Sequence, residues 1–113
     1  GFDTGLFLFY EDVDLCKRVG DAGLGVYYVP EAKVVHHWGG TMQKISETAY
    51  RAGQDSLRYY FAKHHRRPAQ VFVASLLFLK EIAFTLLSIA RGRRGEYYFH
   101  RKMLARLTKP VDR

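Results

Sequence analysis

The chain has 113 residues, of which 48% are hydrophobic, 15% aromatic and 26% charged, a composition that excludes a wholly disordered, collagenous or disulfide-stapled protein. Its length suffices for one small domain and is too short for a nucleotide-binding domain of about 150 residues beside a second one. The formal charge of +7 favours an anionic partner, and residues 1–40, with six acids and three bases, place the whole positive excess in the remainder.

In chain order, Leu6 to Tyr10 is a run of large apolar residues between Gly5 and Glu11, which predicts a buried strand or the entry to one. From Glu11, the residues Val13, Leu15, Cys16 and Val19 recur at helical spacing. Acids occupy the first turn and Lys17 and Arg18 follow, the charge order that a helix dipole favours. Gly20 or Gly23 is expected to end that helix. The single Cys16 has no partner for an internal disulfide and reads as a small apolar residue. Gly25 to Val29 and Lys33 to His36 predict two further extended runs, broken by Pro30 and Glu31, and Trp38 to Thr41 reads as a loop.

The remainder reads as helix in three pieces. Lys44 to about His65 is amphipathic, with Ile45, Ala49, Ala52, Ser56, Tyr59 and Tyr60 near one stripe and Arg51 spaced to meet Asp55. The cluster His64-His65-Arg66-Arg67 and the helix-opening Pro68 precede a mostly apolar stretch, residues 69–90. Lys80 and Glu81 interrupt its middle, and placing ionisable groups at a bilayer centre costs roughly 2.5–3.5 kcal/mol each, which disfavours a simple crossing. Gln70, Glu81, Thr85 and Ser88 fall on one side of the helical wheel, so a helix lying in a membrane interface, or a re-entrant one, fits better. Arg91, Arg93 and Arg94 follow, then Tyr97-Tyr98-Phe99 and a last basic stretch. Bases bracketing an apolar helix, with tyrosines nearby, suit a cytoplasmic-leaflet anchor. The tail carries no recognisable RNA-binding motif, and nucleic acid is not expected as a partner.

Gly1-Phe2-Asp3, Phe9-Tyr10-Glu11-Asp12-Val13-Asp14-Leu15-Cys16, Val29-Pro30-Glu31-Ala32 and Val34-Val35-His36-His37-Trp38-Gly39-Gly40 occur in this order and spacing. The set resembles the C-terminal half of the catalytic domain of family-2 glycosyltransferases, the inverting GT-A enzymes, and in particular their bacterial rhamnosyltransferase-like branch. The resemblance covers residues 1–42 strongly and continues more loosely through Ser56-Leu57-Arg58-Tyr59 and Lys63-His64; Thr4 stands where family members often carry an acid. It implies an α/β fold, with residues 1–42 as the C-terminal portion of a Rossmann-like GT-A domain and residues 43–113 as a helical, membrane-associated extension. Because Gly1-Phe2-Asp3 begins inside a family motif, the chain is expected to be a fragment of a longer enzyme, inactive by itself, whose donor half and aspartate metal motif precede it.

Inverting transfer needs a base that takes the proton of the attacking hydroxyl as it approaches the anomeric carbon. The resemblance gives that role to Asp12, and to Glu11 a hydrogen bond with an acceptor hydroxyl. Read alone, Glu11, Asp12 and Asp14 serve equally as first-turn acids of a helix. Asp14, about 200° round from Asp12, is expected to face away. His36 stands where family members place a ligand for Mg²⁺ or Mn²⁺, and alone it reads equally as a locally satisfied histidine. Trp38 suits stacking on a sugar ring or a base, or anchoring a core. His64, Arg66 and Arg67 suit the pyrophosphate of a lipid-linked acceptor, anionic headgroups, or a plain solvated helix end. The implied partners are a nucleotide-diphosphate sugar, with rhamnose suggested by the branch, a glycan or lipid-linked acceptor of the cell envelope, and an anionic surface on the cytoplasmic face of the plasma membrane. A non-catalytic membrane-binding module and an RNA-binding basic domain are the competing readings.

Overall fold

The computed structural model describes residues 1–35 and 46–109. They form α1 (Glu11–Asp21), α2 (Ser46–His64), α3 (Arg67–Ala90) and α4 (Arg94–Leu107). Two compact units divide the chain, Gly1–Ser56 and Leu57–Arg113, so the division falls inside α2. The expected boundary after residue 42 lies outside the described residues.

The expected α/β class is overturned: among the described residues there is no strand. Phe9 and Tyr10 have φ of 67° and 66°, the left-handed region, and two such residues in succession cannot continue a pleated run, whose φ is about −140°. They turn the chain into α1 instead, where the Asp14 N–H donates to the Tyr10 carbonyl at 2.8 Å. Residues 24–35 are exposed and irregular, apart from a turn at Pro30 and Glu31 in which the Ala32 N–H donates to the Val29 carbonyl at 3.1 Å. Val and Tyr make a strand only where a neighbouring strand exchanges backbone hydrogen bonds with them, and no described residue does so.

In the first unit, Leu6 and Ala49 are buried. The Gly5 N–H donates to Asp3 Oδ1 at 2.8 Å, the Ser56 hydroxyl donates to the Leu8 carbonyl at 2.8 Å, and the Phe9 ring lies 3.4 Å from where a Cβ on Gly53 would stand. The 6–10 segment is therefore packed, as a folded entry to α1. That helix ends at Gly23 (φ 75°), whose N–H donates to the Gly20 carbonyl at 2.9 Å while that of Leu24 reaches the Val19 carbonyl at 3.1 Å. This pair of bonds is the Schellman cap, which satisfies carbonyls that the helix leaves open.

The second unit is a helical hairpin of α3 and α4 joined to the end of α2. Its turn repeats the cap: Gly92 has φ 65°, its N–H donates to the Ile89 carbonyl at 3.0 Å, and that of Arg93 donates to the Ser88 carbonyl at 2.9 Å. At the α2–α3 joint the Gln70 side-chain amide donates to the His65 carbonyl at 2.6 Å, and Pro68 sits in the first turn of α3, where its missing N–H has no helical partner to lose. Arg58 Nη2 donates to the Lys109 carbonyl at 2.6 Å, tying α2 to the far end of α4. Arg51 pairs with Glu47 at 3.5 Å, one turn back, instead of with Asp55.

Leu77 and Met103 fill the hairpin interior together with Ser88 and Glu81, the last with no exposed surface. His100 Nδ1 lies 2.7 Å from Glu81 Oε2 and Lys80 Nζ 3.3 Å from Oε1. The His100 ring stacks on Phe84 with centroids 5.1 Å apart. The Thr85 and Ser88 hydroxyls donate to the Glu81 and Phe84 carbonyls, each at 2.7 Å, so α3 satisfies them within itself. Removing one partner of a buried ionisable pair costs about 3–5 kcal/mol, whereas replacing both by apolar groups is often neutral. His100→Ala is therefore expected to lower stability by about 3 kcal/mol or more, and the double variant Glu81→Leu/His100→Leu by clearly less, in urea unfolding followed by circular dichroism. Gly92→Ala has open space for its Cβ and is expected to lose about 1–2 kcal/mol in the same measurement, from the left-handed backbone alone.

Candidate active site

The acids at the start of α1 meet three different environments. Tyr10 supplies no side-chain cap, so Glu11, Asp12 and Asp14 are the negative charges next to the free N–H groups of the first turn. Asp12 is exposed, and its Oδ1 accepts from the Val13 N–H at 2.8 Å, which fixes the side chain while the carboxylate stays open to solvent. Glu11 is half-buried, and its Oε2 is shielded with no hydrogen-bond partner among the described residues. Asp14 has no exposed surface. Its Oδ2 accepts from Arg18 Nε at 2.7 Å, and Arg18 Nη2 donates to the Gly1 carbonyl, also at 2.7 Å. Asp14 thus holds Gly1 onto the helix through Arg18; by helical spacing it stands about 200° round from Asp12.

A shielded carboxylate oxygen costs about 1–3 kcal/mol or more unless a donor answers it, and among the described residues none answers Glu11 Oε2. Asp12, next in sequence, is open to solvent. His64, Arg66 and Arg67 are gathered at the α2–α3 joint. The His64 ring lies 4.9 Å from that of Tyr60, Arg66 is the extended residue before α3, and Arg66 and Arg67 are exposed beside the first free N–H groups of that helix. The proposed metal ligand His36 and the stacking residue Trp38 lie outside the described residues. Among the described residues, no group of three or more His, Cys, Asp or Glu side chains is placed to hold a cation. The acids of α1 therefore do not by themselves make the divalent-cation site that the resemblance implies.

The N-acetylglucosaminyl-diphospho-decaprenol L-rhamnosyltransferases of two Mycobacterium tuberculosis strains, CDC 1551 and H37Rv, are each 33% identical to this chain over 98 residues. The match takes in 83% of this chain and 32% of the relative. Rhamnosyltransferase WbbL of Escherichia coli K12 is 35% identical over 63 residues, 56% of this chain and 24% of that protein. The chain is a homologue of rhamnosyltransferases. It spans about a third of the length of the mycobacterial relatives and about a quarter of the Escherichia coli one. No family model and no solved structure matches. A likeness covering 83% of the chain necessarily runs through α2 and α3, so those two helices lie in the sequence it shares with those proteins.

Two working residues escape a reading of the sequence. Arg18 looks like a surface base of an amphipathic helix, and only its spacing of one turn from Asp14 hints at the ion pair. His100, the partner of Glu81, carries no local signal, because the pairing depends on how the hairpin registers. Arg18→Met removes the 2.7 Å ion pair from the buried Asp14 and is expected to lower stability by about 1–3 kcal/mol, while Asp12→Asn, at an exposed position, stays within about 0.5 kcal/mol of the parent; thermal unfolding of the two variants checks both.

Proposed function

We propose that this chain supplies the acceptor side of an inverting sugar transferase that works at a membrane, with Asp12 as general base and Glu11 as the ligand of an acceptor hydroxyl. The observation that carries this reading is the pairing at the start of α1 of an exposed Asp12 with a half-buried Glu11 whose Oε2 has no donor among the described residues. It is supported by 33% identity to rhamnosyltransferases. In the proposed step Glu11 accepts a hydrogen bond from one hydroxyl of the acceptor, which aims the neighbouring, attacking hydroxyl at the donor. The oxygen of the attacking hydroxyl forms a bond to the anomeric carbon from the face opposite the leaving group, and its proton passes to Asp12. The bond from the anomeric carbon to the diphosphate oxygen breaks, and the nucleoside diphosphate departs with the electron pair. One displacement inverts the anomeric centre.

The donor class is a nucleotide-diphosphate sugar, with rhamnose favoured by the names of the relatives, and the acceptor class is a lipid-linked glycan of the cell envelope; the mycobacterial relative's name gives N-acetylglucosaminyl-diphospho-decaprenol for that protein. His64, Arg66 and Arg67 are the proposed contacts for the acceptor's diphosphate or for headgroups on the cytoplasmic face of the plasma membrane. His36 as a ligand for Mg²⁺ or Mn²⁺ and Trp38 as a stacking platform enter the proposal on the resemblance alone, and the transfer step is derived without them. A second reading, a membrane-binding module without transfer chemistry, is favoured by the exposed apolar side of α3.

In the full-length protein, Asp12→Asn is expected to lower kcat about 10²-fold or more with little change in KM. Glu11→Gln is expected to act mainly on the acceptor, raising its KM on the order of 10-fold. Transfer of labelled sugar from a nucleotide-diphosphate donor to a lipid-linked acceptor measures both, and near-normal transfer by Asp12→Asn would remove Asp12 from the role of base.

A further inference from the structure

Helix α3 has its polarity turned inside out. Over about 140° of its circumference it presents Val71, Phe72, Leu76, Leu79, Leu86 and Ile89, each between 50% and 63% exposed. The opposite side, covered by the hairpin, holds Glu81 and Ser88 beside Leu77. A helix on the surface of a water-soluble domain shows the reverse arrangement. The outer face of α4, by contrast, carries Arg94, Tyr98, Arg101 and Lys102, all exposed. Both ends of α3 are basic and exposed, with Arg66 and Arg67 at the start and Arg91, Arg93 and Arg94 past the end.

We propose that α3 lies in the plane of an anionic bilayer, its outward apolar face sunk among the acyl chains and α4 stacked on its water side. The proposal deepens the membrane attachment of the preceding section and does not depend on the transfer chemistry. Three observations choose this occupant and this posture. The apolar face has charged residues only at its two ends, and those are all basic, which complements anionic headgroups. Bases at both ends keep both ends at headgroup level, as an in-plane helix of 24 residues, about 36 Å long, requires. Crossing is opposed by α4: Glu81 is bound to His100, so α3 enters lipid only with α4 attached. At 14 residues, about 21 Å, α4 is shorter than a hydrocarbon core of about 30 Å and carries Arg101 and Lys102 outward. In plane, the buried Glu81 and His100 never meet acyl chains, because they occupy the seam between the two helices.

The test uses the whole 113-residue chain with Cys16→Ser, and flotation with vesicles of phosphatidylcholine and phosphatidylglycerol against vesicles of phosphatidylcholine alone. Leu79→Cys and Tyr98→Cys, each carrying an environment-sensitive fluorophore, report depth through quenching by lipids with a nitroxide on the acyl chain. The expected result is strong quenching at position 79 and at least about fivefold less at position 98. Leu79→Glu/Leu86→Glu, exposed positions that leave the hairpin intact by circular dichroism, are expected to weaken binding on the order of 10²-fold. Arg66→Glu/Arg91→Glu, one base at each end of α3, are expected to weaken it about 10-fold, on the anionic vesicles only. Equal quenching at the two labels, a terminus of α3 reachable only from the vesicle lumen, or a dimer in gel filtration that does not float would each overturn the proposal. Flotation as expected together with undiminished transfer by Asp12→Asn would leave this proposal standing and remove the catalytic one.

Discussion

A carboxylate without exposed surface, at the middle of an otherwise apolar helix, sets the terms for the second unit. Glu81 needs a partner inside the protein, and the hairpin supplies His100 from α4 and Lys80 from its own flank. That contact favours one register of α4 on α3, because sliding by one turn would take His100 away from the enclosed Glu81. The stacking of His100 on Phe84 fixes its rotation as well. Met103, one turn further along α4, then falls into the interior and is almost wholly enclosed. Once the polar residues of α3 are turned inward, what remains for its outer side is apolar, so the exposed face follows from the same contact.

The first unit applies the same device on a smaller scale. Asp14 is enclosed and answered by Arg18 one turn later, and Arg18 reaches on to the Gly1 carbonyl. Asp14 thereby binds Gly1 to α1, and Asp12 and Glu11 stand outside that ion pair. The left-handed Phe9 and Tyr10 belong to this arrangement, since they set the angle at which the packed 6–10 segment delivers those acids.

The helices are legible in the sequence because their causes are local. Apolar spacing, Gly23 and Gly92 in left-handed caps and Pro68 in a first turn each act within a few residues, and the elements appear close to where these signals place them. The strands expected at Leu6 to Tyr10, at Gly25 to Val29 and, over the described residues, in the run from Lys33 to His36 fail for the opposite reason. A strand is a relation between two segments, and the apolar density of Leu6-Phe7-Leu8-Phe9-Tyr10 describes burial equally well for a folded entry to a helix. Of the site, Glu11 and Asp12 are recognisable through resemblance and Asp14 through spacing. The shielding of Glu11 Oε2 is not, because burial of a single atom is a property of the folded chain. Glu81 read only as an obstacle to crossing a bilayer; its meaning changes once His100 stands beside it.

The contacts that close the α3–α4 hairpin are short in sequence: Glu81 and His100 stand 19 residues apart. Closing a ten-residue loop takes about 10–100 ns, and domains dominated by local helical contacts fold in microseconds to milliseconds. Synthesis delivers only about 5–20 residues per second. The hairpin is thus complete almost as soon as α4 clears the ribosome. Until then, for on the order of a second while the 14 residues of α4 are made, α3 stands without the partner that covers Glu81, so synthesis and not folding sets how long that carboxylate waits.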